Sequence, residues 1–422
     1  MPDYSVPYGK DSLTFHLPEN VRVELVVPPE TPSAANPPNA VESALAAIEW
    51  AQFEGVCSAA IAINDKTRPV PHRYLLPPLL HHLESLNLPP EAVTLIIATG
   101  THPPMRPDEF PQVVPPAILA RYPVQSHDAD DRENLLHRGT SSRGTPIWIN
   151  RHFAESELRI VVGNIEPHQF QGFSGGVKSA AIGLAGRETV NHNHAMMTDP
   201  RSRLGHYVDN PARQDVEEIG QLIRVHIALN AILNDKKEIV QAIAGTPQAV
   251  MEAGIPFARK VCLVGVEEPY DLTISSPGGH PKDINLYQAQ KALAHASLVT
   301  KEGGTVILAA ACPEGSGSQS YQTWVTKLGS HSQVMDRFQA EGFRVGPHKA
   351  FQIARDAMRA RVFLVSDMDP DLVRSLLLEP ADTLDAALAI SLADLPAGGR
   401  VGIMPRASST IPFMPHQTGE ER

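Results

Sequence analysis

RIVVGNIEPHQFQGFSGGVKSAAIGLAG, residues 159–186, is the stretch that decides the fold class of this chain. Ile160, Val161 and Val162 run without polar alternation, the pattern of a strand buried on both faces, as in a parallel sheet. The run breaks at the polar, proline-bearing NIEPH, passes a Ser-Gly-Gly turn and enters VKSAAIGLAG, a helix-compatible apolar run holding a single lysine. Buried strand, polar loop and helical run in that order form a piece of an α/β layer.

The same alternation extends outward. CSAAIAIND (57–65) and VTLIIATGTH (93–102) read as strands, and RYLLPPLLHHLESL (73–86) reads as a helix despite its prolines. Apolar strands separated by helices pair in parallel, and such sheets collect ligands at the carboxyl ends of their strands. The three strand candidates end in NDKTRP, TGTHPP and NIEPHQ, so their polar clusters are expected together at one edge. Near residue 268 a second region begins, with a glycine- and proline-rich turn, a helix from about Asp283 to Ala296, and strand-like TVILAAACPEG, RVFLVSDM and GRVGIMP. The expected architecture is α/β: two α/β domains, 1–267 and 268–422, with mainly parallel sheets around an interdomain cleft, joined by a helical hinge. RVELVVPP (22–29) opens the first domain, the proline-rich segments around 28–38 and 103–116 read as loops, and the tail after about Phe413 reads as frayed.

Bulk properties narrow the partners. A chain of 422 residues with 42% hydrophobic content can bury large cores. A formal charge of −11 opposes a general nucleic-acid or anionic-membrane surface and leaves a small molecule as the expected partner. Cys57, Cys262 and Cys312 are odd in number and far apart, so neither a disulfide framework nor a cysteine zinc site is indicated. No basic leader or long apolar run is present, and a cytoplasmic location is expected.

Several residues carry chemistry. Lys178 follows a glycine turn within apolar surroundings, where desolvation favours the neutral amine and so a nucleophile or attachment point; a snorkelling lysine is the plain alternative. The turn of Ser174, Gly175 and Gly176 can also offer backbone N–H groups to a phosphate, although the P-loop spacing is missing. His192 and His194 in HNH stand two apart, so on a helix they point about 200° apart and at most one can serve a given metal. His102 and His168 each follow a buried strand, and two facing imidazoles suit a reaction that takes a proton from either of two mirror-image positions. Arg68, with Lys291, Gln288 and Tyr287, supplies what a carboxylate-bearing substrate needs, against the alternative of solvated helix charges.

Taken together and in order, NDKTRP, TGTH, EPHQFQGFSGGVKS, HNH and PKDINLYQAQK resemble the nickel-pincer lactate racemase family over roughly residues 57–300. The resemblance implies an isomerase, a racemase or epimerase of a small 2-hydroxy acid, lactate or a similar short aliphatic acid, working by proton-coupled hydride transfer. It implies His102 and His168 as acid and base, and His194 as the protein ligand of nickel. It implies Lys178 as the attachment point of a nickel-pincer nucleotide (pyridinium-3,5-bisthiocarboxylic acid mononucleotide nickel), seated by Ser174, Gly175 and Gly176. Arg68 and Lys291 match the residues that hold the substrate carboxylate, with Tyr287 and Gln288 in the same pocket and Asp65 orienting its neighbours. Enzymes that build the cofactor are implied partners. His72, Arg73, His192 and His280 match no family role, and malate or a sugar acid remains an alternative substrate. A dehydrogenase is a further reading, opposed by the lack of GxGxxG after the early strands. A two-domain carboxylate-binding or cofactor-carrier protein is another, and it gives no reason for the paired His102 and His168.

Overall fold

The computed structural model describes residues 3–414, so the end of the tail expected to fray, 415–422, lies outside the described residues. The chain divides into two compact units, one holding Glu30–Val261 and the other the chain on either side of it. The family of parallel strands expected from the sequence is present in both.

In the unit 30–261, six strands stand in the order Ile239–Gly245, Ile227–Leu233, Leu158–Asn164, Ala59–Asn64, Val93–Ala98, Val124–Ser126. All neighbours are parallel except the antiparallel edge strand Ile239–Gly245. Successive side chains point to opposite faces, so each central strand feeds two cores. Ile61, Ile63, Leu95, Ile97, Ile160 and Val162 pack on one face; Ala60, Ala62, Ile96 and Val161 pack on the other. The helix His72–Ser85 covers the first face and continues through Pro77 and Pro78, as expected. A proline in a helix interior costs about 3 kcal/mol, yet Leu75, Leu76, Leu79, Leu80 and Leu83 are all buried. Burying such side chains returns roughly 1.5–3 kcal/mol each, which outweighs the broken backbone bonds.

The second unit carries a sheet in the order Glu379–Ala381, Arg361–Val365, Thr300–Ala309, Tyr270–Ser275, Arg400–Met404, Arg22–Leu25, parallel throughout. The expected C-terminal strands and the helix, observed at Leu286–Val299, are in place. The opening residues differ from the expected 1–267 grouping. Arg22–Leu25 pairs with Arg400–Met404, and Val6, Phe15 and Leu17 of the hairpin Asp3–Tyr8/Asp11–His16 are buried with Leu272, Ile307 and Ile403. The physical reason is non-local: a short amphipathic strand carries no mark of the sheet edge it completes. The chain leaves the unit 30–261 at Val261, within the last turn of the helix Pro247–Cys262.

Candidate active site

Three adjacent parallel strands end at one place. Ala59–Asn64 runs into Asp65 and Arg68, Val93–Ala98 into Thr99–His102, and Leu158–Asn164 into His168 and the glycine turn. Side chains from all three line a pocket within the unit 30–261, together with Lys178 and His194. Eight of the twelve candidate residues, Asp65, Arg68, His102, His168, Ser174, Gly175, Lys178 and His194, are brought together there. The clustering follows from topology, because parallel strands place their C-terminal loops on one edge.

His102 donates from Nδ1 to Oδ2 of Asp65 at 2.8 Å, which leaves Nε2 as the acceptor nitrogen of the neutral ring. Asp65 is itself held by the hydroxyl of Thr67 at 2.6 Å. Burial pushes its carboxyl up, but the hydrogen bonds from His102 and Thr67 and the charge of Arg68 outweigh that, and the net position is below the ordinary carboxylate range. Asp65 is therefore built to remain an anion behind His102. His168 is oriented differently: its Nδ1 accepts the backbone N–H of Gln171 at 3.3 Å, so the proton of the neutral ring sits on Nε2. Phe170 lies edge-on to both His168 and His194, at ring-centroid distances of 4.8 and 4.9 Å.

Lys178 opens the short helix Lys178–Ala181. Enclosure by protein lowers its ammonium to about 7, and repulsion from Arg68 and Arg213 adds to the effect. Near neutral pH a large fraction of this amine is thus unprotonated and nucleophilic. The turn before it requires glycine twice, at φ +84° for Gly175 and φ +56° for Gly176. A Cβ at Gly175 would stand 2.6 Å from Ile165, and one at Gly176 would stand 2.8 Å from Met251. Ser174 staples the loop by donating to the Asn164 carbonyl at 2.9 Å.

Gly176 departs from its expected role. It is absent from the pocket lining, and its N–H donates to Oδ1 of Asn230 at 2.7 Å, so it is committed to packing rather than offered to a phosphate. Tyr287, Gln288 and Lys291 lie on the helix Leu286–Val299 of the other unit, whose N-terminus is capped by Asn285. Burial raises the Tyr287 phenol, and the Lys349 ammonium lies 4.8 Å from its ring centre.

The unassigned histidines separate as well. His72 is buried, binds the Val113 carbonyl through Nδ1 at 2.8 Å, and is depressed by burial to about 4, which makes it a neutral structural residue. His192 and His194 share the helix Arg187–Ala195, but only His194 lines the pocket.

Sequence reasoning missed Arg213. Fully buried, it donates to the carbonyls of Phe173 at 2.9 Å and Gly175 at 3.1 Å, and Glu217 one turn on is its counter-charge. The available signal was NPARQDVEE, a capped helix start with an i,i+4 Arg–Glu pair, which ordinarily reads as a solvated face. Asn64, Asn164 and Ser179 also line the pocket, and Asn64 Oδ1 is buried without a hydrogen-bond partner among the described residues.

The strand ends of this parallel α/β sheet gather a carboxylate-backed histidine, a second histidine, an arginine and a depressed lysine, groups able to support acid–base chemistry. Comparison with known proteins gives the family. The lactate racemase N-terminal domain model matches residues 8–205, and the lactate racemase C-terminal domain model matches residues 266–411. The chain is 30% identical to a lactate racemase of Lactiplantibacillus plantarum over 85% of either chain, and 28% identical to that of Thermoanaerobacterium thermosaccharolyticum over 97% of this chain and 99% of the other. The solved lactate racemase apoprotein from Thermoanaerobacterium thermosaccharolyticum superposes with a TM-score of 0.90 at 28% identity, covering 97% of this chain and all of that one. A Thermotoga maritima protein, 18% identical, shares the fold with a TM-score of 0.64 over 90% of this chain and 97% of its own. The chain belongs to the lactate racemase family. Among the described residues no helix is long and apolar enough to cross a membrane.

Proposed function

We propose that this chain interconverts the stereoisomers of a small 2-hydroxy acid, lactate or a similar short aliphatic acid, using a nickel-pincer nucleotide attached to Lys178. The observation that carries the reading is the convergence of His102, His168 and the depressed Lys178 amine on one pocket. Similarity to the lactate racemases of Lactiplantibacillus plantarum and Thermoanaerobacterium thermosaccharolyticum favours lactate.

The residues fit such a group on three counts. The Lys178 amine is neutral enough near pH 7 to be acylated. Asn64 Oδ1 is a buried acceptor left for a donor that the described residues do not supply. Gly163 keeps the space beside it open, since a Cβ there would stand 2.7 Å from Asn64 Oδ1. Among the described residues no three His, Cys, Asp or Glu side chains converge as a metal site, so His194 would contribute one donor and the bound group the rest. When bound, such a group would supply reversible hydride acceptance for the substrate α-carbon.

The chain's own residues supply the proton chemistry. Arg68 offers a bidentate grip on the carboxylate. His102 Nε2 takes the hydroxyl proton as the carbonyl of a 2-keto acid forms, and Asp65 stabilises the imidazolium that results. His168, whose Nε2 carries its proton, stands as the donor when the alcohol re-forms on the other face. For the opposite enantiomer the roles exchange. Enzymes that build the nucleotide are the implied partners.

The test is interconversion of pure enantiomers, followed by chiral chromatography, in His102→Ala and His168→Ala proteins carrying the adduct. Each is expected to lose racemisation by 10²-fold or more; full racemisation in both would remove the two-histidine assignment.

A further inference from the structure

We infer that Asn193, the residue between the two histidines of HNH, is a positioning residue that dictates which nitrogen of His194 carries the lone pair, with Asp215 anchoring it from behind. The inference rests on the proposed role of His194 as a ligand.

Asn193 is wholly buried, and its amide sits between groups that fix its orientation. On one side lie the Ala212 carbonyl at 2.8 Å and Asp215 Oδ2 at 2.9 Å. The Ala212 carbonyl can only accept, so the Asn193 Nδ2 must face it; the reversed amide would set oxygen against oxygen. Asn193 Oδ1 therefore points the other way, where Gln171 Nε2 lies at 2.8 Å and His194 Nδ1 at 3.1 Å. An amide oxygen only accepts, so His194 Nδ1 must donate. The neutral ring then carries its proton on Nδ1 and its lone pair on Nε2. Phe170, edge-on at 4.9 Å, holds the plane of the same ring.

Asp215 makes the arrangement rigid. This buried carboxylate receives the Ser141 hydroxyl at 2.5 Å, the Thr145 hydroxyl at 2.9 Å and the Asn193 amide. Thr145 in turn meets His192 Nδ1 at 2.9 Å. The two histidines thus diverge on their helix and are both tied to one carboxylate, one through Thr145 and the other through Asn193. His192 closes the network on the side away from the pocket. A second partner on the far nitrogen of a ligating histidine fixes its tautomer and raises its basicity, and loss of that partner typically costs about 10–100-fold in metal affinity.

The tautomer is readable without any cofactor. In the full-length protein with ¹⁵N-labelled histidine, long-range ¹H–¹⁵N spectra report the protonated nitrogen of each ring, and the His194 signals are those lost in His194→Gln. The expected result is a single Nδ1–H tautomer. An Nε2–H ring, or a fast mixture of both, would overturn the inference whatever the cofactor proves to be. The second arm uses adduct-bearing Asn193→Ala, with nickel retained per adduct measured after challenge by a chelator. Nickel loss is expected at about 10–100-fold lower chelator concentration than in the parent, with the Lys178 adduct mass unchanged. His192→Ala, which cuts only the His192 branch and keeps the Thr145–Asp215 hydrogen bond, should leave both readouts unchanged; a shift equal to that of Asn193→Ala would mark a general loosening and refute the specific role. A parent protein with no adduct, yet with His194 in the Nδ1–H form, would instead count against the proposed function alone.

Discussion

Two lysines with lowered ammonium groups, one in each unit, differ in their surroundings: Lys178 is partly exposed at a pocket, whereas Lys349 is buried. Lys178 and Lys349 both have ammonium groups lowered first by burial and then by neighbouring positive charge, Arg68 and Arg213 for the one and Lys291 for the other. Their settings differ. Lys349 donates to Gln290 Oε1 at 2.9 Å and lies against the Tyr287 ring, so its amine is satisfied by protein. Lys178 has no hydrogen-bonding partner at Nζ among the described residues and lines a pocket beside His102, His168 and His194. A depressed amine that its surroundings leave both unsatisfied and reachable is available as a nucleophile.

The sharpest break of this comparison is substitution. Lys178→Ala is expected to abolish both adduct and racemisation, while Lys349→Met keeps the adduct; denaturing mass spectrometry of the two proteins decides. Next in size is the effect of removing charge beside the substrate carboxylate. Lys291→Met, at the position the resemblance assigns to that group, is expected to raise KM about 10–100-fold, an estimate from the loss of a charged hydrogen bond of about 1.5–3 kcal/mol, with a smaller effect on kcat. Steady-state kinetics with the adduct in place separate the two, and an unchanged KM would remove Lys291 from the substrate.

The two amines should also differ in pH response. Lys178 is protonated below about 7 and neutral above it, so labelling of the cofactor-free chain by an amine-reactive reagent is expected to rise through pH 7 at Lys178 and to spare Lys349. Peptide mapping after brief labelling reads both. The same shift affects stability. The folded-state value, about 7, lies below the ordinary 10.5, so the unfolded chain binds more protons between those values and stability gains from this group as pH rises across that window. Below about pH 7 the burial penalty is fully present. Lys178→Met should therefore raise Tm more at pH 6 than at pH 10; an equal rise at both would deny the depressed amine.

Much of this was legible because it is local. Uninterrupted apolar runs bounded by Asp65, His102 and His168 mark strands and their C-terminal loops, and parallel pairing alone then gathers those loops. The divergence of His192 and His194 follows from helical geometry. What escaped depends on contacts between distant segments. The pairing of Arg22–Leu25 with Arg400–Met404 has no local signature. Arg213 and Asp215 look like surface charges on an amphipathic helix, and only the folded chain shows them buried beneath the glycine turn and HNH. Gly176 was assigned to the ligand side because a glycine turn before a helix commonly serves anions, yet Asn230, on a neighbouring strand, takes its N–H.

The most direct measurement is denaturing intact-mass spectrometry with peptide mapping on the chain produced alongside enzymes that build the nickel-pincer nucleotide. The account predicts a sulfur-containing mononucleotide adduct confined to the peptide bearing Lys178. An unmodified chain, when a control racemase is modified under the same conditions, would contradict it.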